Sequence, residues 1–188
     1  MKEEIRFYRA NEKPYGVFSN LYRREVEYEG VIYPTSEHAY QAGKPRKESV
    51  RNWLLAAPTP GLLAMAAHGL YVWDIQSDWA KVKFARMKRI LIAKFTQHND
   101  LAELLLSTGN KRLVESATTD SAVNRLWGEV NGKGQNKLGA LLMEVRAELR
   151  KKQERPAQAR NAAKQINKAS GRSGKKRVTA KNLVLAEA

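Results

Sequence analysis

The sequence predicts an α+β fold: a compact, predominantly helical single domain with a short N-terminal β-hairpin and sheet, followed by a basic C-terminal tail. Three observations carry this expectation. Strand alternation and hairpin signals are confined to the first 34 residues. Apolar residues at steps of three and four dominate from there to residue 152. Past Arg155-Pro156 the chain holds no aromatic residue. The boundary is placed at 150, giving a domain over 1–150 and a tail over 151–188.

IRFYR (5–9) alternates and reads as a short strand. PYGVFSN (14–20) mixes turn-formers with aromatics and reads as a loop packed on the body. VEYEGVIYP (26–34) is a hairpin signal around Glu29-Gly30, closed by Pro34. Thr35 or Ser36 then caps a helix carrying Glu37, His38 and Gln41, with Glu37 in the first turn, where the macrodipole favours its ionised form. SVRNWLLAA (49–57) and TPGLLAMAAHGL (59–70) are further helices, the second with Thr59 as cap and Pro60 at its first position.

The longest helix is expected over 78–98. There Ala80, Phe84, Met87, Leu91 and Phe95 form one apolar stripe, with Arg86 and Arg89 on the far side. Asp100 caps LAELLLSTG, which Gly109 closes. KRLVES is a short extended segment. Residues 118–137 show neither periodicity and contain three glycines, so they read as a long functional loop. GALLMEVRAELRKK forms a final amphipathic helix.

Composition narrows the chemistry. The absence of cysteine excludes disulfides, thiolate metal sites and thiol nucleophiles. His38, His68 and His98 lie far apart without ligand spacing, so no metal is expected. MKEEIRFYRA lacks the basic and apolar regions of a signal peptide, and no apolar run spans a membrane, which predicts a cytoplasmic protein with no membrane partner. The formal net charge is +15, of which residues 151–188 hold eleven basic against two acidic side chains, or +9. Such a segment attracts polyanions, and binding to nucleic acid would be non-specific and salt-sensitive.

Four polar stretches of the body each combine an aromatic with hydrogen-bonding groups, the mixture a nucleotide cleft requires: YGVFSN, TSEHAYQAGK, DWAKVK and NRLWGEVNGKGQNKLG. Each taken alone has an ordinary structural reading. Glu37 satisfies a helix start, Trp79 packs, His38 and His68 support the fold, and NGKG lacks Walker spacing. In order along the chain, however, FYRANEKPYGVFSNLY, GVIYPTSEHAYQAGK, DWAKVKFARMKRILIAKFTQH, LLLSTGNKRLVE and WGEVNGKGQNKLGALLMEVRAEL resemble the signature blocks of the NADAR family over about residues 5–150. This is the YbiA-like group, similar to riboflavin-biosynthesis-intermediate N-glycosidases.

That resemblance implies a metal-free α+β hydrolase needing no cofactor, which cleaves the bond between ribose C1′ and a nitrogen. The implied substrates are ribosylamino-pyrimidine riboflavin intermediates or ADP-ribose linked to guanine in nucleic acid. It implies Glu37 and Trp79 as catalytic residues. The third, an aspartate, falls on Asp120 when counted forward from Glu115 and on Asn124 when counted back from Trp127. Asp120 is preferred, because an amide cannot serve as a base, although Asn124 can orient a water. Glu129, beside Trp127, is a further candidate for the role. The expected mechanism has Glu37 facing the ribose cation and activating water, Asp120 assisting from the second face, and Trp79 stacking on the heterocycle. Lys133 of the NGKG turn and Asn136 would hold phosphate, with Arg9, Asn20, Gln41 and Lys44 as ribose or phosphate contacts.

Two rival readings remain open on sequence grounds. One is a non-catalytic module that binds ADP-ribose or an NAD derivative and is targeted to nucleic acid by the tail. The other is a basic nucleic-acid-associated protein with an idle pocket.

Overall fold

The structure is a computed structural model and describes residues 3–154. The predicted tail from residue 155 onward lies outside the described residues. The chain is α+β, with short strands at the start and helices thereafter, interrupted by one strand between the fifth and sixth helices. Strand β1 (Glu4–Phe7) is followed by a 3-10 turn at Tyr15–Phe18, the hairpin β2 (Val26–Tyr28) and β3 (Val31–Tyr33), and α1 (Ser36–Gln41). Next come α2 (Glu48–Leu55), α3 (Pro60–His68), α4 (Trp79–Gln97), α5 (Asn99–Ser107), β4 (Arg112–Glu115) and α6 (Ala122–Trp127). A last helix, α7, runs from 137 to the end of the described residues at 154.

Local chemistry explains most boundaries. The hairpin turns at Glu29 (φ 53°) and Gly30 (φ 77°), two successive left-handed residues, as a type I′ connection requires. Thr35 rather than Ser36 caps α1, its hydroxyl accepting from the His38 amide at 3.2 Å. Thr59 likewise accepts from the Leu62 amide at 3.2 Å, with Pro60 opening α3 as expected. Helix α5 starts two residues earlier than an Asp100 cap would set; His98 occupies the cap position, and Asp100 sits in the first turn.

Three expectations are corrected. The stretch 118–137 is not one long loop, because Ser121 caps α6 by accepting from the Asn124 amide at 3.1 Å. Six residues are too few to show a helical period, which is why the pattern missed them. In α4, Ala80 is exposed, whereas Trp79, Met87, Ile90, Leu91, Lys94 and Phe95 form the buried set. The buried face thus includes a lysine, whose Nζ donates to the carbonyls of Val17 (2.6 Å) and Ser19 (3.2 Å). Arg86 does not point to solvent opposite the stripe. Its Nη2 donates to the Ala39 carbonyl at 2.8 Å, and its guanidinium lies 4.9 Å from the Tyr28 ring centroid.

The sheet is minimal. Strands β1 and β4, more than a hundred residues apart in sequence, pair in parallel with Phe7 opposite Glu115. The hairpin and α1 pack on α4, and α3 packs on α1. Phe18, Leu91, Phe95, Leu105 and Leu142 are among the fully buried side chains of the single core between these elements. Lining this core, β1, β4 and α1 end close to one another, and their ends build the cleft described next.

Candidate active site

An open cleft of about 650 Å³, counting its solvent-filled mouth, is walled by the end of β1, the 19–21 loop, α1, α3, the end of β4 and α6. Its polar groups are Tyr8, Asn20, Glu37, Gln41, His68, Glu115 and Asn124, and its apolar wall includes Tyr40, Met87 and Trp127. A second, smaller cavity adjoins it. Tyr40, Gln41, His68, Val123 and Trp127 line both, and the second adds Lys44, Trp79 and Lys83. Glu37 and Trp79 therefore face neighbouring compartments of one depression, divided by the Tyr40 ring, which lies 4.9 Å from the Trp79 indole at 49°.

Glu37 is placed by the Thr35 cap, and its own amide donates to the Asn20 carbonyl at 3.0 Å, which ties α1 to the 19–21 loop. Its carboxylate accepts from Gln41 Nε2 at 2.7 Å. This is the i, i+4 relation of a single helical turn. Burial pushes the Glu37 carboxyl above the ordinary range, opposed by the Gln41 hydrogen bond and then by the Lys44 cation. Gln41 Oε1 and Asn20 Oδ1 are both buried and have no partner. Two acceptors left this way at a cleft wall call for donors from whatever enters, since an unmet buried polar group costs on the order of 1–3 kcal/mol.

His38 turns away from the cleft. Its Nδ1 lies 2.7 Å from the Thr35 hydroxyl, so it braces the helix start. His68, read as a fold residue, lines both compartments, and burial, followed by the Lys44 cation, lowers its pKa. Lys44 Nζ donates to the Ala67 carbonyl and faces the second compartment with Lys83. Burial lowers its pKa; Glu37 opposes this, and Lys83 adds to it.

Several expected site residues lie elsewhere. Asp120 is exposed and forms a bidentate pair with Arg125, with oxygens 2.6 and 2.7 Å from the guanidinium. It precedes the α6 cap and stays outside the cleft. Asn124 lines the cleft instead, with its Nδ2 held by the Thr119 carbonyl at 2.7 Å. Glu129 is buried in an ion cluster with Arg112 and, at 3.8 Å, Arg6; it lines neither compartment. Arg9 faces a separate depression with Glu12. Lys133 is exposed on the NGKG turn, away from both compartments. Asn136 is buried and spends its amide on the fold: Nδ2 donates to the Leu113 carbonyl at 2.8 Å and Oδ1 accepts from the Glu115 amide at 3.1 Å. The Asn136 side chain is thereby committed to the fold rather than to a ligand.

Sequence reasoning missed Glu115, His68 and Tyr8. Glu115 is a carboxylate at the carboxyl end of a buried strand, and that position was its only sequence signal. Burial, and secondly the Glu37 charge, push its carboxyl up to about 7. Among the described residues no group of three or more His, Cys, Asp or Glu gathers as a metal site, and no helix is long and apolar enough to cross a membrane.

The chain is similar to several known proteins. The NADAR domain model matches residues 6–150. The chain is 38% identical over 146 residues to the N-glycosidase YbiA of Shigella flexneri, covering 77% of this chain and 88% of that one. It is 33% identical over 150 residues to a riboflavin biosynthesis protein of Vibrio vulnificus, covering 79% of this chain and 39% of that protein. The NMR structure of the Escherichia coli protein YbiA superposes with a TM-score of 0.71 at 35% identity, covering 81% of this chain and 89% of that chain. The chain belongs to the NADAR domain family.

Proposed function

We propose that this protein is an N-glycosidase, a hydrolase that breaks the bond between a ribose C1′ and the nitrogen of a heterocycle. The observation that carries this reading is Glu37: a carboxylate only 8% exposed, gripped by Gln41, opening into a cleft with aromatic walls and two unmet acceptors. Ribose hydroxyls are the donors that would satisfy Asn20 Oδ1 and Gln41 Oε1. Trp127 and Tyr40, edge-to-face at 5.5 Å, offer apolar surface for the base, with Trp79 behind Tyr40.

As the C1′–N bond lengthens, the ribose ring becomes cationic, and a buried carboxylate beside it is worth more than in water. Glu37 stabilises that cation and takes the proton of the attacking water. Lys44 and Lys83, which both line the second compartment, take the phosphate contacts in place of Lys133 and Asn136. Asn124 takes the position intended for Asp120 and orients the water.

The substrate is a ribosylamino-pyrimidine phosphate of riboflavin biosynthesis or an ADP-ribosylated guanine. The shared family with YbiA and the similarity to a riboflavin biosynthesis protein of Vibrio vulnificus support the first. The +9 charge of 151–188 favours the second, with residues 1–150 as the catalytic domain and the remainder as a non-specific nucleic-acid attachment. Mass spectrometry of products after separate incubation with each substrate tests the reading, and release of free base from either is the expected result. The second reading, an ADP-ribose or NAD-derivative binding module, is favoured by the displacement of Asp120 to the surface. It would prevail if ADP-ribose is retained and neither substrate yields free base.

A further inference from the structure

The mechanism above leaves one need unmet, a proton for the departing nitrogen, and one group unused, Glu115. This inference rests on the N-glycosidase reading. Glu115 reaches the same cleft as Glu37 from a different element, the carboxyl end of β4. Its backbone is held on every side. It pairs with Phe7 in the parallel register, its amide donates to Asn136 Oδ1 at 3.1 Å, and its carbonyl accepts from the Glu129 amide at 2.7 Å. A Cβ on Gly128 would run into that carbonyl, so the close approach depends on glycine there. The buried Asn136 and the Arg112–Glu129 pair thus serve to fix where this carboxyl sits.

The two carboxyls are not equivalent. Glu37 has the Gln41 donor and the Lys44 cation beside it, both of which favour its charged form. Among the described residues no hydrogen-bond donor reaches the Glu115 carboxyl, and the charged group acting on it is Glu37. The other titratable groups lining its cleft are Tyr8, Tyr40 and His68, and His68 is held towards its neutral form by burial. Where one proton is shared by such a pair it resides on Glu115, whose pKa of about 7 keeps it there near neutrality.

We propose that Glu115 is a second catalytic residue, the general acid that protonates the leaving nitrogen. The C1′–N bond breaks with its electron pair moving to nitrogen, which takes the Glu115 proton. Water oxygen bonds to C1′ and yields its proton to Glu37. Passage of that proton from Glu37 to Glu115 through solvent restores the starting state, and the net reaction is addition of one water across the bond.

The test compares two ribose 5′-phosphates in the full chain: a ribosylamino-pyrimidine, whose nitrogen needs a proton to leave, and a p-nitrophenyl riboside, whose phenolate does not. In wild-type enzyme the turnover of the first should fall as pH rises through about 7, and turnover of the second should lack that limb. Glu115→Gln should cut the first about a hundred- to ten-thousandfold and spare the second. If Glu115→Gln turns over the first at the wild-type rate, or if wild type shows the same basic limb with both substrates, Glu115 is not the acid. The wild-type comparison decides even if the variant misfolds. Wild-type enzyme inactive on both would instead overturn the N-glycosidase reading itself, and this inference with it.

Discussion

Gln41 donates its amide to Glu37 at 2.7 Å while leaving its own carbonyl oxygen buried and unpaired in the same cleft wall. One side chain therefore both lowers the cost of a buried carboxylate and holds an acceptor ready for a ligand hydroxyl. Gln41→Leu removes both. The loss of the donor lets burial raise the Glu37 carboxyl further. The acid limb of the kcat/KM profile should then shift to higher pH, and KM should increase. Initial-rate measurements across pH check both, and an unmoved acid limb would remove Glu37 as the titrating base.

Glu37→Gln tests the carboxylate directly. Turnover should fall at least about a hundredfold, the scale of a lost acid–base group. The melting temperature should not fall, because the change replaces a charge that burial disfavours. Product release followed by chromatography, alongside thermal unfolding, separates the two effects.

Asp120→Ala and Asn124→Ala should behave oppositely. Asp120 is an exposed partner of Arg125, so its loss should leave activity unchanged and stability nearly so, because solvent screens an exposed ion pair. Asn124 lines the cleft, and its removal should lower kcat. A strong activity loss in Asp120→Ala would restore the aspartate to the mechanism.

Trp127 touches both compartments and packs edge-on against Tyr40 and at a 58° tilt against Phe84, each at 5.5 Å. If the base stacks on it, Trp127→Ala should weaken ligand affinity by about 1–3 kcal/mol, whereas Trp127→Phe should recover most of the loss. Calorimetric titration with ADP-ribose and with the ribosyl-pyrimidine phosphate measures both.

Lys94 gives a pH signature of stability. Burial lowers its pKa from 10.5 to about 7 in the folded chain. Between those values the unfolded chain binds more protons, so the Lys94 contribution to stability is full above about 10.5 and is lost as pH falls through about 7. Lys94→Met should flatten the increase in unfolding free energy from pH 7 to 10. Lys44 is shifted in the same direction and remains in both proteins, so the difference between variant and wild type isolates Lys94. Denaturant titrations at several pH values measure it.

What the sequence made legible was local. The Thr35 and Thr59 caps, the Glu29-Gly30 hairpin and the 3.6-residue period of α4 each depend on groups a few positions apart, so their geometry is written in the spacing. Glu37 and Gln41 on one face follow for the same reason. The aspartate ambiguity was legible as an ambiguity only. One count gave Asp120, the preferred residue, and the other Asn124; the Ser121 cap starts α6 after the first and before the second, so only Asn124 is carried on that helix.

By itself, then, the sequence determined the helices other than α6, the hairpin, the family resemblance and the candidate carboxylate at the start of α1. The tertiary structure alone decided which polar groups converge. Glu115 reaches Glu37 only because β1 and β4 pair across more than a hundred residues, and Asn136 is spent on that strand rather than on a ligand. Lys94 lies on the buried face of α4, where the carbonyls of Val17 and Ser19 accept from its ammonium. The physical reason is the same in each case: desolvation and unlike-charge or like-charge proximity depend on distance through space, and spacing along the chain carries no information about it beyond a turn or two of helix.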